Sequence, residues 1–286
     1  MTAMAVEPTF SDRLKPADFR RLASFIEGYS GIRMPANKQT MVEGRLRRRV
    51  RALGLGTLDD YCRLLFTDGG LDREAVHLID AVTTNKTEFF RESDHFTYLA
   101  DKVLPPLVAE KRQTNGTVKV WSAACSTGAE PYTLAMVMDD YGLRTRPFRY
   151  SVLSTDICTE VLEQARTAIY SEAMIAPVPK EMRKRYLMRS KDKARQLVRV
   201  VPELRHHVGF ARLNLIEDRY LVDRDMDVIF CRNILIYFDK PTQEAVLRRL
   251  CDHLVPGGHL FVGHTETVGG FDLPVRQVST TVFMRL

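Results

Sequence analysis

From about residue 118 the chain settles into a rhythm that few folds accommodate: a short apolar strand, a helix, then a strand again. The strand-like runs are VKVWS, RYSVLSTD, MDVIFC and HLFVGH. Helical stretches separate them, from Glu130 to about Asp140, near Glu160 to Ala168 and near Thr242 to Leu254. Runs that are apolar throughout, without in-and-out alternation, belong to strands covered on both faces. Joined by helices, they imply an α/β domain with a mostly parallel sheet. The terminal VRQVSTTVFMRL holds two short strand-like runs and is expected to close the sheet as an antiparallel hairpin.

Residues 1–90 carry no strand pattern. Their apolar positions recur every three or four residues, in Phe19, Leu22, Phe25 and Ile26 and again in Val42, Leu46, Val50 and Leu53. That spacing predicts an all-α N-terminal domain, with residues 91–286 as the second domain. Inside the latter, about 171–207 fit the alternation poorly. PVPKEMRKRYLMRSKDKARQLVRVV is highly charged and its best strand is LVRVV, which marks an insertion.

Composition excludes several classes. No apolar run approaches the roughly 18 residues of a membrane span, and the start, MTAMAVEPTFSDRLKP, lacks a charged-then-apolar secretory pattern. The expected location is therefore the cytoplasm, without membrane insertion. Five widely spaced cysteines, Cys62, Cys125, Cys158, Cys231 and Cys251, include no C-x-x-C pair, so they read as reduced and structural, and no metal is expected. A net charge of +6 favours an acidic partner without naming it.

In open α/β sheets ligands bind beyond the carboxyl ends of the strands, where strand order reverses. The residues there are Ser126 to Glu130, Asp156, Asn214 after GFARL, and Arg232-Asn233. From Ser122 to Gly128 nothing is larger than Thr or Cys, and such a strand-to-helix turn lets a backbone approach a ligand closely. Asp156 lies where a carboxylate would take both hydroxyls of a ribose. With no G-x-G-x-x-G after the first strand and no P-loop, a nucleoside lacking a phosphate chain, as in S-adenosylmethionine (SAM), is favoured. A dinucleotide, or no small ligand, stays open on these residues alone.

Three stretches sharpen the reading: TTNKTEFFRE at 83–92, CSTGAEPYTLAM at 125–136 and FCRNILIYFDKPTQ at 230–243. Together they closely resemble the CheR family of chemotaxis receptor methyltransferases, over the chain from about residue 15 onward. The resemblance implies an all-α domain followed by a Rossmann-like SAM-dependent methyltransferase domain with a small antiparallel β insertion at about 171–207. It implies methyl transfer from SAM, leaving S-adenosylhomocysteine, to glutamate side chains on the cytoplasmic domain of transmembrane chemoreceptors. Matched residue by residue, the family's cofactor contacts fall on Asn85, Thr87, Arg91, Glu130, Asp156, Asn214, Leu215, Arg232 and Asn233. Arg91 and Tyr237 match positions that the family places near the transferred methyl. Ala129 departs from the family's usual second glutamate. A glutamate substrate, with a reference pKa of about 4.3, is already ionised at neutral pH, so no catalytic His or Cys is required.

Two basic regions complete the set. In GRLRRRVRAL, Arg45, Arg47, Arg48, Arg49 and Arg51 are expected opposite the apolar stripe, a surface suited to an acidic receptor helix. Residues 180–205 hold ten Lys or Arg against three acids. In some members of the family the insert docks a receptor's C-terminal peptide of two aromatics with intervening acids on an edge strand, and LVRVV is the expected edge here. The connecting SKDKARQ lacks the glycines usual in peptide-binding members. His206 and His207 are assigned no role. A non-enzymatic SAM-binding regulator is the competing class. Nucleic-acid binding is disfavoured, because RNILIYF stands where a base methyltransferase carries an N-P-P-Y-like motif.

Overall fold

A computed structural model describes residues 12–286, so residues 1–11, where the expected N-terminal domain begins, lie outside the described residues. The chain divides between Thr83 and Thr84 rather than near residue 90, which leaves all of TTNKTEFFRE after Thr83 in the second unit.

The first unit contains α1 (Pro16–Ser30), α2 (Gln39–Ala52), α3 (Leu58–Phe66) and α4 (Leu71–Val82). Pro16 opens α1, and Gly31, left-handed at φ +73°, closes it by returning its N–H to the Glu27 carbonyl. Thr57 and Asp60 form a reciprocal capping box on α3. The predicted stripes are buried at Phe19, Leu22 and Ile26 and at Val42, Leu46 and Val50. Phe25 and Leu53 are only half-buried.

The arginines of α2 do not all lie opposite that stripe. Arg45 donates to the Val82 and Thr83 carbonyls at the end of α4. Arg49 makes a two-pronged pair with Glu74, with Nε–Oε2 at 2.8 Å and Nη2–Oε1 at 2.6 Å. An i, i+4 spacing puts those two on one side of the helix, against α4. Arg47, Arg48 and Arg51 are exposed.

In the second unit, α5 (Ser93–Tyr98), a π-helical segment (Leu99–Val103) and α6 (Leu104–Gln113) precede the sheet. Then come β1 (Val118–Ala123), α7 (Ala129–Arg144), β2 (Tyr150–Asp156), α8 (Thr159–Thr167) and β3 (Ile169–Ser171). The insert continues with α9 (Lys180–Tyr186), β4 (Leu187–Arg189), β5 (Leu197–Val200) and α10 (Pro202–Arg205). The chain returns through β6 (Val208–Arg212), β7 (Met226–Cys231), α11 (Lys240–His253), β8 (Leu254–Val262), β9 (Val275–Ser279) and β10 (Val282–Arg285).

The main sheet has the order β6-β2-β1-β7-β8-β10-β9. Its first five strands are parallel, and β10 and β9 are antiparallel. Every residue of β7 is buried, Asp227 included, whose carboxylate pairs with Lys111 at 2.8 Å and accepts the Lys119 N–H at 2.8 Å. The order reverses between β1 and β7, which marks the crevice at their carboxyl ends. A second antiparallel sheet, β3-β5-β4, forms the small β insertion. This corrects the place of LVRVV: β5 pairs on both sides, so the edges belong to β3 and β4. Strand pairing is a long-range choice that the local pattern of five residues does not encode. Among the described residues no helix is long and apolar enough to cross a membrane.

Candidate functional site

Four segments of the second unit meet beyond the carboxyl ends of β1, β2 and β7. The loop after β1 is bent sharply, with Ala124, Ser126 and Gly128 all left-handed at φ +63°, +51° and +89°. At Gly128 a side chain is excluded twice, by that φ and because a Cβ would lie 2.9 Å from both Ala165 Cβ and the Tyr170 hydroxyl. Asp156, buried at the end of β2, holds the loop: its carboxylate accepts the Ser126 N–H at 2.8 Å and the Cys158 N–H at 2.9 Å. Ser126 Oγ donates to the Asn85 carbonyl at 2.9 Å, and Asn85 Nδ2 lies 3.5 Å from Cys158 Sγ. The first motif is thus tied to the second. Thr87 is half-buried along the same segment.

Arg232, just after β7, ties in the third motif. Its side chain is 2% exposed and sits over the Phe96 and Phe230 rings. Nη2 donates to the Arg91 carbonyl at 2.6 Å, Nη1 faces His95 Nδ1 at 3.3 Å, and Nε lies 3.2 Å from Glu130 Oε2. The last contact is an ion pair without an aligned N–H, since Nε has no hydrogen-bond partner. Glu130 also accepts from Ser122 Oγ at 2.7 Å. Burial pushes the Glu130 carboxyl up, with Arg232 and Ser122 pulling the other way. At Glu92, by contrast, burial is outweighed by the Asn233 amide and the Arg232 charge, which hold the carboxyl low.

The turn after Arg232 is fixed by a residue that the sequence reading missed. Glu266, buried, accepts the N–H groups of Asn233 at 2.8 Å, Leu235 at 2.7 Å and Gly263 at 2.6 Å. Burial raises its pKa, and these backbone bonds oppose the shift. Asn233 itself is left-handed at φ +59° and donates its side chain to Glu92 at 3.1 Å. Tyr237 ends the short 3₁₀ turn Leu235–Tyr237 and is half-buried. Beyond β6, Asn214 accepts the Ile216 N–H at 3.3 Å, and the buried Leu215 offers its carbonyl to the Tyr220 hydroxyl at 2.6 Å. They adjoin Asp156 through the Leu213 N–H, which bonds the Asp156 carbonyl at 3.0 Å.

Comparison with known proteins shows the family. Residues 85–284 match the CheR methyltransferase, SAM binding domain, and residues 17–83 match the CheR methyltransferase, all-alpha domain. The chain belongs to the CheR methyltransferase family. It is 42% identical over 265 residues to the chemotaxis protein methyltransferase of Escherichia coli K12, covering 93% of this chain and 89% of that protein. The Salmonella typhimurium LT2 protein of the same name is equally similar, with 93% and 88% covered. That of Klebsiella aerogenes is 42% identical over 253 residues, covering 88% and 84%. This CheR chain is thus a SAM-dependent methyltransferase of chemotaxis.

The residues of the CheR site fit SAM. A buried carboxylate stands at the end of β2, the loop after β1 turns through three left-handed residues, and Thr127 Oγ1 is buried without a partner among the described residues. A buried hydroxyl of that kind calls for a ligand or water. The five cysteines are free and buried, and burial pushes the Cys62 thiol up to about 12 and Cys251 to about 11. Asn85, Glu130, Asp156, Arg91, Arg232 and Asn233 thus share one connected site with Ser122, Glu92, His95 and Glu266. The α2 arginines are in the other unit. Glu266 had a signal: it is an acid just beyond the strand-like run HLFVGH, as Asp156 is an acid at the end of RYSVLSTD. His95 had none.

Proposed function

We propose that this CheR protein methylates glutamate side chains on the cytoplasmic signalling region of transmembrane chemoreceptors, in chemotaxis adaptation or a related chemosensory pathway in the cytoplasm. One observation carries the reading: Arg232 of the third motif holds the Arg91 carbonyl of the first and the Glu130 carboxylate of the second. When bound, SAM supplies an electrophilic methyl on a sulfonium that departs as a neutral thioether. Asp156 takes the ribose hydroxyls while keeping the β1–α7 loop in shape through Ser126 and Cys158. Asn85, Thr87, Asn214, Leu215 and Asn233 complete the cradle, and Glu130 faces it from the first turn of α7. Arg232, with Nη1 and Nη2 hydrogen-bonded inside the protein and Nε in the ion pair with Glu130, acts by positioning. Arg91 and Tyr237 orient the incoming carboxylate, which is already a nucleophile at neutral pH and needs alignment rather than a base.

Incubation with labelled SAM and receptor cytoplasmic fragments, followed by mass mapping, is expected to find methyl esters on glutamates. Label on other side chains would overturn the choice of substrate. Tyr237→Phe is expected to slow transfer and leave SAM affinity intact.

On the first unit, the exposed Arg47, Arg48 and Arg51 are the proposed receptor contact. On the insert, β4 is the proposed docking edge for an aromatic-acidic receptor tail. Met188 and Arg189 on β4 are exposed, beside exposed Lys180, Lys184 and Arg185 of α9. Strand addition would supply backbone bonds and a tether. Calorimetric titration with such a peptide should give heat and competition with receptor; neither appearing sinks this part of the reading.

A further inference from the structure

The two-residue turn between β9 and β10 places a β-branched residue in a conformation that suits glycine or asparagine. Thr281 is left-handed at φ +56°, an outlier for its type, where hairpin turns draw Gly, Asn or Asp. Strain of this kind persists where surroundings over-determine it, and it clusters at functional sites. The side chain shows what is gained. Thr281 Oγ1 lies 2.8 Å from Nε2 of His95, which is 1% exposed.

The proton positions follow from one fact: a guanidinium can only donate. Arg232 Nη1 at 3.3 Å therefore makes His95 Nδ1 an acceptor. The imidazole is then neutral with its hydrogen on Nε2, donated to Thr281 Oγ1. The hydroxyl is left to donate to the Thr280 carbonyl at 2.7 Å. Arg232 Nη1, both imidazole nitrogens and the Thr281 hydroxyl thus each have one consistent role. The ring is wedged edge-on against Phe230, Phe261 and His264. Glu92, His95 and His264 also bring ligand atoms within 4.8 Å of one another, as a metal cluster would. The Arg232 guanidinium, 3.3 Å from His95 Nδ1 and 3.7 Å from Glu92 Oε2, is the cation that His95 and Glu92 face, while His264 Nε2 lies 3.0 Å from Asp94 Oδ2.

We propose that Thr281 and His95 are positioning residues of the methyl-donor site: Thr281 fixes the His95 tautomer, and His95 Nδ1 orients the Arg232 guanidinium that holds the Arg91 backbone and Glu130. The proposal rests on the reading that Arg91 and Glu130 line that site. The β9–β10 turn, which carries none of the three motifs, thereby becomes part of the cofactor machinery.

The test measures S-adenosylhomocysteine binding by calorimetry alongside thermal midpoints. Thr281→Gly relieves the backbone and removes the hydroxyl, so the midpoint should hold or rise while the dissociation constant increases about three- to tenfold. His95→Phe, which keeps a ring, should weaken binding at least as much, and His95→Gln, which keeps an acceptor and a donor, should return it to within about twofold. The Thr281→Gly/His95→Phe double variant should bind no worse than His95→Phe alone. Additive losses, or a lower midpoint for Thr281→Gly with unchanged binding, would overturn the relay. If Asp156→Ala and Glu130→Gln also leave binding unchanged, the placement of the donor site fails instead. Should His95→Phe not fold, Thr281→Gly decides alone.

Discussion

Gly263 follows β8 directly with no room for a side chain: a Cβ there would lie 2.6 Å from Asn233 Nδ2 and 2.8 Å from Glu266 Oε2. Gly263→Ala is therefore expected to push Glu266 away from the Asn233 turn and to destabilise the fold by about 1–3 kcal/mol in urea denaturation. Glu266→Gln tests the same turn more gently. An amide nitrogen cannot accept, so at least one of the three backbone N–H groups loses its partner, worth about 1–3 kcal/mol. Because that turn carries Asn233 and Tyr237, turnover should fall further than SAM affinity does. Glu266 shows what was legible at this scale. A single acid beyond a strand can be found by the topological rule, but its partners are backbone amides, which leave no mark on the sequence.

Among the elements, α2 carries two different kinds of arginine. Glu74 is buried, and its hydrogen bonds from Arg49, more than the other influences on it, hold its carboxyl below the usual range. Arg49→Ala strands that carboxylate and is expected to cost about 2 kcal/mol. The pH dependence follows from the sign of the shift. With the folded pKa below the unfolded one, the stabilisation is present above the ordinary carboxylate pKa and is lost as pH falls through the depressed value. Arg49→Ala should flatten the acid limb of the stability curve in that window. Arg47→Ala and Arg51→Ala should change stability by less than about 0.5 kcal/mol, yet raise the KM for receptor fragments and weaken its dependence on salt. A change in stability with no change in KM would return these two side chains to the solvated surface. Periodicity made the apolar stripe readable. The flanks of the stripe, where Arg45 and Arg49 lie, depend on where α4 packs, and one helix's pattern does not contain that.

For the methyltransferase unit as a whole, the alternation of strands and helices was readable because strands buried on both faces must be apolar throughout. Strand order was less so. The central place of β5 and the insertion of β10 between β8 and β9 are matters of partner choice over long separations. Titration offers a check on the buried network. Burial first, then the Arg232 charge, lowers His95 to about 4, with His264 adding to the shift and Asp94 and Glu92 opposing it. The folded pKa lies below the unfolded value of 6.5, so stability is full above that pH and drains away as pH falls toward 4. Thermal midpoints measured between those limits should drop less in His95→Gln, which cannot take up the proton; parallel curves would mean that other groups carry the acid sensitivity. Finally, β10 pairs directly with β8, while the earlier β9 lies outside it. A ribosome delivers this chain from its N-terminus, so β8 waits as a bare edge until residues 282–285 emerge. Chains stalled before Val282 should accordingly be protease-sensitive and fail to retain SAM, so this unit stays silent until its last hairpin has been delivered.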